Sequence, residues 1–130
     1  MQNAQQQQYL KVQVETASPG ELTLLLYQEM VKSLLQAKQL YSQDQYEDTN
    51  QVLFKVRNII NELIVTLNMD YDIARNLRDL YMFYNRHLAT FFIKKDVKIL
   101  DDVLEFARGM VDTWKQAIQL SKAGVQHAKG

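Results

Sequence analysis

The sequence has no cysteine, only one proline and only four glycines in 130 residues. Without cysteine the chain has no disulfide bond, no thiolate metal site, no cysteine nucleophile and no thioether attachment of haem. Because proline and glycine are the strongest local breakers of regular structure, their scarcity leaves little that would interrupt a helix. The composition therefore favours a helical chain.

An excess of charge of either sign is also missing, because 15 basic residues balance 15 acidic ones. No lysine- or arginine-rich run is present to neutralise phosphates, so we expect no nucleic-acid partner. No apolar run approaches the roughly 18 residues of a membrane span. Residues 1–13 lack the basic and apolar regions of a secretory signal. We expect a soluble cytoplasmic protein that does not insert into the membrane.

Motifs for catalysis and cofactor binding are absent as well. The sequence contains no glycine-rich phosphate loop, no His-Glu-x-x-His and no Gly-x-Ser-x-Gly. It also lacks the Glu-x-x-His pairs that di-iron bundles place on their inward faces. The expectation is a protein that is not an enzyme and that needs no cofactor or metal.

What the chain does contain is helical periodicity. Hydrophobic residues make up 47% of it and charged residues 23%, an ordinary balance for one globular domain. Apolar residues recur at spacings of three and four along four segments, which predicts four amphipathic helices. The predicted helices cover residues 19–42, 45–67, 71–93 and 97–124.

The short connections between these segments favour antiparallel neighbours. The predicted fold is therefore all-α, an antiparallel up-down four-helix bundle with a flexible N-terminal arm. The predicted division is an arm at residues 1–17, a bundle at residues 18–124 and a disordered tail at residues 125–130.

Several residues have the chemistry of helix ends. Ser18 and Glu21 are spaced as a capping box, with Pro19 at the first helical position, where a missing N–H is harmless. Four further ends are expected from the same reasoning: a second capping box at Asp44 and Glu47, a left-handed closure at Asn68, an N-cap at Asp96 and a stop at Gly124.

Apolar residues remain after each helix has been given one core stripe. For the third helix the expected stripe is Ile73, Leu77, Leu80, Tyr84, Leu88 and Phe91. The extra apolar residues suggest shallow grooves along the outside of the bundle, in which an amphipathic or extended partner could lie. Candidate contact residues, with the asparagines that flank them, are Leu24, Val31, Leu35, Phe54, Asn58, Asn61, Val65, Ile99, Phe106 and Met110, joined in the arm by Tyr9, Leu10 and Val14.

Two other functions stay open from the residues alone. His87 lies in the middle of a predicted bundle helix, where phosphotransfer domains carry a phosphoryl-accepting histidine. Leu88, Ala89 and Thr90 follow it, rather than the lysine and glycine usual in those domains. The extra apolar stripes could instead serve only self-assembly, as in a helical adaptor. Gly109, inside the fourth helix, is explained either by the close approach of another backbone or as a tolerated accident.

An ordered set of residues along nearly the whole chain resembles the flagellar secretion chaperones of the FliS type. The set is Tyr9, Val14, Thr16-Ala17-Ser18-Pro19, Leu22, Leu26-Tyr27, Ala37, Lys55, Ile59-Ile60, Glu62-Leu63, Thr66-Leu67-Asn68, Leu77, Leu80-Tyr81, Arg86, Leu88, Lys95-Asp96, Val103, Asp112, Trp114 and Lys115-Gln116-Ala117-Ile118.

This resemblance implies a non-enzymatic export chaperone. Such proteins hold the disordered C-terminal region of flagellin in grooves of the bundle, which prevents premature polymerisation and assists delivery to the flagellar type III export gate. It also implies that the arm can cover an apolar site, that Tyr9 is linked to docking at an export-gate component, and that the chain self-associates as a homodimer without its client.

Overall fold

The computed structural model describes the backbone of residues 19–129 and the side chains of residues 20–122. The four predicted helices are all present, and their order along the chain is α1 (Pro19–Ser42), α2 (Tyr46–Val65), α3 (Asp72–Lys94) and α4 (Val97–Lys129). The predicted all-α bundle is confirmed. Among the described residues, none of the helices contains a stretch long and apolar enough to cross a bilayer.

The helices pack in a ring, in which α1 and α3 each contact both α2 and α4. Near the start of α1, Gly20 accepts a hydrogen bond from Trp114, which lies far along α4. Near the end of α1, Lys38 pairs with Asp101, close to the start of α4. Contacts of this kind agree with the predicted antiparallel order.

The expected ends of α2 are wrong. Asp44 does not cap α2, because it has a left-handed φ of 60° and its carboxylate accepts a hydrogen bond from the Tyr46 hydroxyl at 2.9 Å. The N-cap is Gln45, which makes no side-chain capping bond. At the other end, Thr66 closes α2 in a right-handed conformation. Asn68 therefore does not supply the expected left-handed closure.

The junction of α3 and α4 has two capping devices. Lys95 adopts a left-handed φ of 56°, and its N–H donates to the carbonyl oxygen of Phe91. Asp96 caps α4 as predicted, because its Oδ1 accepts a hydrogen bond from the Lys98 N–H at 3.0 Å. The expected stop at Gly124 is wrong, since α4 continues to Lys129.

Other predictions about the chain ends are not tested. The capping box of Ser18 with Glu21 depends on Ser18, which lies outside the described residues. The division into arm, bundle and tail stays a prediction.

The side of α3 that faces the core is shifted from the expected stripe. In its first half, Ala74 and Tyr81 are buried. Ile73 and Leu80, each one position earlier, are 66% and 38% exposed. Because the side of α3 that carries Tyr81 faces the core, the larger aliphatic residues Ile73 and Leu80 lie toward the surface. The outer side of α3 is therefore more apolar than the sequence predicted.

An aromatic cluster fills the bundle interior where α1, α3 and α4 meet. The hydroxyls of Tyr27 and Tyr81 are hydrogen-bonded to each other, and both side chains are buried. Trp114 packs edge-on against Tyr27 with ring centroids 5.6 Å apart, and its indole N–H donates to the carbonyl oxygen of Gly20 at 3.1 Å. Burial raises the pKa of both tyrosines above the usual value. The cluster joins three helices.

Candidate functional site

An open groove of about 650 Å3 lies between α3 and α4. We call it the α3/α4 groove. Its floor is a pair of stacked rings, Tyr84 of α3 and Phe106 of α4, with centroids 4.1 Å apart and planes 13° from parallel. Phe106 also packs edge-on against the buried Tyr81. The groove is lined by Phe83, Tyr84, His87, Asp102, Glu105, Phe106, Gly109, Met110 and Thr113.

One end of this groove is polar. His87 Nε2 lies 3.0 Å from Asp102 Oδ2, so an imidazole–carboxylate contact joins α3 to α4. The ring of Phe83 stacks on the imidazole with centroids 5.8 Å apart and planes 14° from parallel. Phe83 itself is 51% exposed. The site therefore presents an exposed aromatic ring beside a fixed polar pair.

Gly109 leaves the middle of the groove open. A Cβ atom built on Gly109 would have no other heavy atom within 4 Å, apart from its immediate surroundings in the helix. Glycine in a helix interior costs about 1 kcal/mol relative to alanine, and no neighbouring element of the described chain requires it here for space. An occupant of the groove could bring its backbone close to α4 at this position.

A smaller groove of about 310 Å3 separates α1 from α4. Its apolar residues are Val31 and Val111, and its charged residues are Arg108, Asp112 and Lys115. On α1, Val31 belongs to a row at helical spacing that also contains Leu24, Gln28 and Leu35. Leu24 and Val31 are half-buried and Leu35 is exposed.

The predicted residues of α2 form a third, separate surface. Phe54 is exposed and stacks on Phe92 of α3, with ring centroids 4.9 Å apart. Val65 is the last residue of α2 and one of the most exposed apolar residues of the described chain.

The polar residues on the same side of the bundle connect α2 to α3. The side-chain amide of Asn85 donates to Asn61 Oδ1 at 2.9 Å and accepts from the Arg57 side chain at 2.9 Å. Asn58 is exposed. Asn61 is therefore held by a structural hydrogen bond, whereas Asn58 faces solvent.

The structure thus distributes the predicted contact residues over three surfaces. Phe106 and Met110 come together in the α3/α4 groove, and Val31 lines the α1/α4 groove. Ile99 is a correction: it is only 5% exposed and belongs to the core, because its side of α4 faces the bundle interior. Tyr9, Leu10 and Val14 lie outside the described residues.

Sequence reasoning missed several residues of the groove. Tyr84 was assigned to the core, although it forms half of the groove floor. Phe83, Asp102 and Glu105 line the groove but were not among the predicted contact residues, and His87 was considered only for phosphoryl transfer. The signal that could have found them is the run of aromatic residues at 81, 83 and 84, followed by a histidine.

The geometry of His87 does not favour phosphoryl transfer. Its Nε2 atom is already in contact with the Asp102 carboxylate. Glu105 lines the same groove, so an incoming phosphate would meet two carboxylates. The imidazole is better placed to hold α3 against α4 than to accept a phosphoryl group.

Comparisons with known proteins agree with one another. Residues 1–121 match a family described as "Flagellar protein FliS". The chain is 38% identical over 122 residues to the flagellar secretion chaperone FliS of Bacillus subtilis (strain 168), covering 94% of this chain and 91% of that protein. It is 33% identical to the protein of the same name in Vibrio cholerae (serotype O1), with 85% of each covered.

A solved structure shares the fold. It is described as a crystal structure of a flagellar chaperone from bacteria, and it superposes with a TM-score of 0.73. The match covers 88% of this chain and 98% of that chain at 21% sequence identity. The four-helix architecture is therefore one that a flagellar chaperone also has.

Proposed function

This chain belongs to the FliS family of flagellar secretion chaperones, and on that premise we propose that it is a non-enzymatic export chaperone for flagellin. In this proposal the chain acts in the cytoplasm and binds the C-terminal region of flagellin before that region has folded. Binding prevents premature polymerisation and assists delivery to the flagellar type III export gate.

The observation that carries the proposal is the α3/α4 groove. It exposes Phe83 and has a floor of stacked aromatic rings, with Met110 beside it. A disordered segment that folds on binding loses conformational entropy, which the burial of apolar area must offset at about 25 cal/mol per Å2. Aromatic and methionine side chains supply such area on an adaptable surface.

The residues that line the groove span α4 from Asp102 to Thr113. At a rise of about 1.5 Å per residue this is roughly 16 Å, or three turns of an occupying helix. Gly109 lies within this span and leaves room for the occupant's backbone. We take a helical segment of the client as the primary occupant.

The other apolar surfaces are proposed as secondary contacts. The row of α1 that includes Leu24, Val31 and Leu35 would bind a second part of the client along the α1/α4 groove. Phe54 and Val65 would contact a third part on the α2 side. A client that wraps around the bundle would use several such surfaces, each too small to hold it alone.

The arm has two proposed tasks. Tyr9, Leu10 and Val14 would cover an apolar surface when the client is absent, and Tyr9 would take part in docking at an export-gate component. Without client, uncovered grooves would favour self-association into a homodimer.

Co-expression with the flagellin of the same cell tests this proposal. We expect the two proteins to purify as a complex, and we expect a flagellin that lacks its C-terminal region not to be retained. Purified chaperone should also delay filament growth from flagellin monomers. Equal retention of full-length and truncated flagellin would overturn the proposed client region.

Sedimentation distinguishes the proposed chaperone from a self-assembling adaptor. Under the chaperone proposal, client binding dissociates or remodels any dimer of the chain. A dimer that persists unchanged at saturating client would favour the adaptor instead.

A further inference from the structure

The two grooves beside α4 carry opposite charge. Among the described residues that line the α3/α4 groove, the formally charged groups are the carboxylates of Asp102 and Glu105, and the only basic group is the imidazole of His87. In the α1/α4 groove, Arg108 and Lys115 outnumber Asp112. One helix thus separates an acidic groove from a basic one.

The acidic character does not depend on the protonation of the imidazole. With a neutral ring the groove carries two negative charges, and with a protonated ring it still carries one. Asp102 and Glu105 are three residues apart on α4, so they lie on the same side of the helix. His87 engages Asp102 at 3.0 Å, whereas Glu105 is exposed and forms no ion pair within the described part of the chain.

The apolar and charged parts of the groove are arranged in sequence along α4. Phe106, Gly109 and Met110 lie on the side of Glu105 toward the C-terminal end of α4, and Asp102 lies on the other side. An occupant that covers the apolar part therefore brings a flanking side chain to the two carboxylates. A lysine or arginine at that place would gain an ion pair, and an acidic residue would be repelled.

We propose that the α3/α4 groove selects an amphipathic helix whose apolar stripe is flanked by lysine or arginine, with Glu105 as the residue that reads this charge. The inference rests on the proposed function and specifies the client segment for this groove. Because the α1/α4 groove has the opposite charge, the same segment is disfavoured there. The two charges thereby fix which part of the client lies on which side of α4.

Two synthetic peptides of 18 residues test the inference on the full chain. Both have the same leucine-rich apolar face, and the positions that flank it are all lysine in one peptide and all glutamate in the other. At low salt we expect wild-type chain to bind the lysine peptide at least about threefold more tightly, as an exposed ion pair allows, with the preference shrinking as salt is raised.

Charge reversal at one position provides the matched comparison. Glu105→Lys should remove or reverse the preference between the peptides. Glu62→Lys makes the same change at an exposed position of α2 that lines neither groove, and it should leave the preference intact. Equal affinities of wild-type chain for the two peptides, including no measurable binding of either, would overturn the inference. Equal effects of the two variants would overturn it as well.

Two further measurements distinguish this inference from the proposed function and from self-association of the chain. If the C-terminal region of flagellin binds wild-type chain and Glu105→Lys equally and the peptides show no preference, the charge inference fails while the proposed function stands. Sedimentation of the chain alone tests a second copy as the occupant. The inference would be overturned if the chain self-associates, if this self-association keeps both peptides from binding, and if Glu105→Lys abolishes it.

Discussion

The hydroxyls of Tyr27 and Tyr81 are hydrogen-bonded to each other in the interior of the bundle, where α1 and α3 face each other across the core. Trp114 packs edge-on against Tyr27, and Phe106 packs edge-on against Tyr81. Since Phe106 also forms the floor of the α3/α4 groove, this buried pair is continuous with the proposed binding surface.

Removing both hydroxyls of the pair should lower the free energy of unfolding by less than the sum of the two single removals. Tyr27→Phe leaves the Tyr81 hydroxyl buried without its partner, and Tyr81→Phe does the converse, so each should lower the free energy of unfolding by about 1–3 kcal/mol. In the double variant neither orphan remains, and the loss should be clearly smaller than the sum of the two. Urea unfolding measures all three, and strict additivity would contradict the buried hydrogen bond.

The same pair predicts a loss of stability in alkaline solution. Burial raises the pKa of both hydroxyls, so the folded chain holds these protons at a pH where the unfolded chain releases them near its ordinary value of about 10. Their contribution to stability is complete below that pH and falls as pH rises above it, by about 1.4 kcal/mol per unit for each tyrosine.

Unfolding measured from pH 8 to pH 11 checks this dependence. The double variant with phenylalanine at both positions serves as the control, and its stability should fall less steeply above pH 10. Identical slopes for wild type and double variant would show that the pair does not resist ionisation.

Ser33 offers a simple stability prediction. Its side chain is buried in α1, and its hydroxyl has no hydrogen-bond partner among the residues that the structure describes. Because an unsatisfied buried hydroxyl is costly, Ser33→Ala should raise the free energy of unfolding by about 1 kcal/mol. Thermal or urea unfolding measures the gain, and a loss of stability would mean that the hydroxyl has a partner in solution.

The number and type of the helices followed from the sequence because their apolar spacing is long and regular. The stripe of α3 was harder, since Ile73 and Leu80 are more hydrophobic than Ala74 and yet lie outside. Tyr81 points into the core instead, where its hydroxyl is hydrogen-bonded to the hydroxyl of Tyr27 on α1. A partner on a distant helix leaves no trace in the local pattern.

The helix ends and the groove were also difficult to predict from the local sequence pattern. The left-handed residues are Asp44 after α1 and Lys95 after α3, and not Asn68 after α2, as the sequence predicted. The groove floor requires that Tyr84 and Phe106, 22 residues apart, lie face to face. Periodicity could place both on apolar faces, but only the packing of α3 against α4 brings the rings together.

Gly109 predicts opposite effects on stability and on binding. Gly109→Ala should stabilise α4 by about 1 kcal/mol, because alanine is the better helix former and its Cβ meets no other element. Gly109→Leu would fill the groove, and we expect it to weaken binding of the flagellin C-terminal region about tenfold, which is the scale of a steric misfit. Unfolding and calorimetric titration of both variants provide the two readouts, and unchanged affinity of Gly109→Leu would place the client elsewhere.

The central claim is that the α3/α4 groove binds the client, and two neighbouring residues of α3 test it most directly. Phe83 is 51% exposed and lines the groove, whereas Met82 is 42% exposed and is not among the groove residues. Both Phe83→Asp and Met82→Asp should keep the helical circular dichroism of the wild type, because both side chains already face solvent to a similar extent.

Calorimetric titration of the two variants with the C-terminal region of flagellin is the decisive measurement. We predict that Phe83→Asp weakens binding by about tenfold or more, as the loss of an aromatic contact in an interface does. Met82→Asp should change the affinity by less than about twofold, the usual range for a surface substitution away from the site. Wild-type affinity of Phe83→Asp, or equal losses in the two variants, would contradict the account.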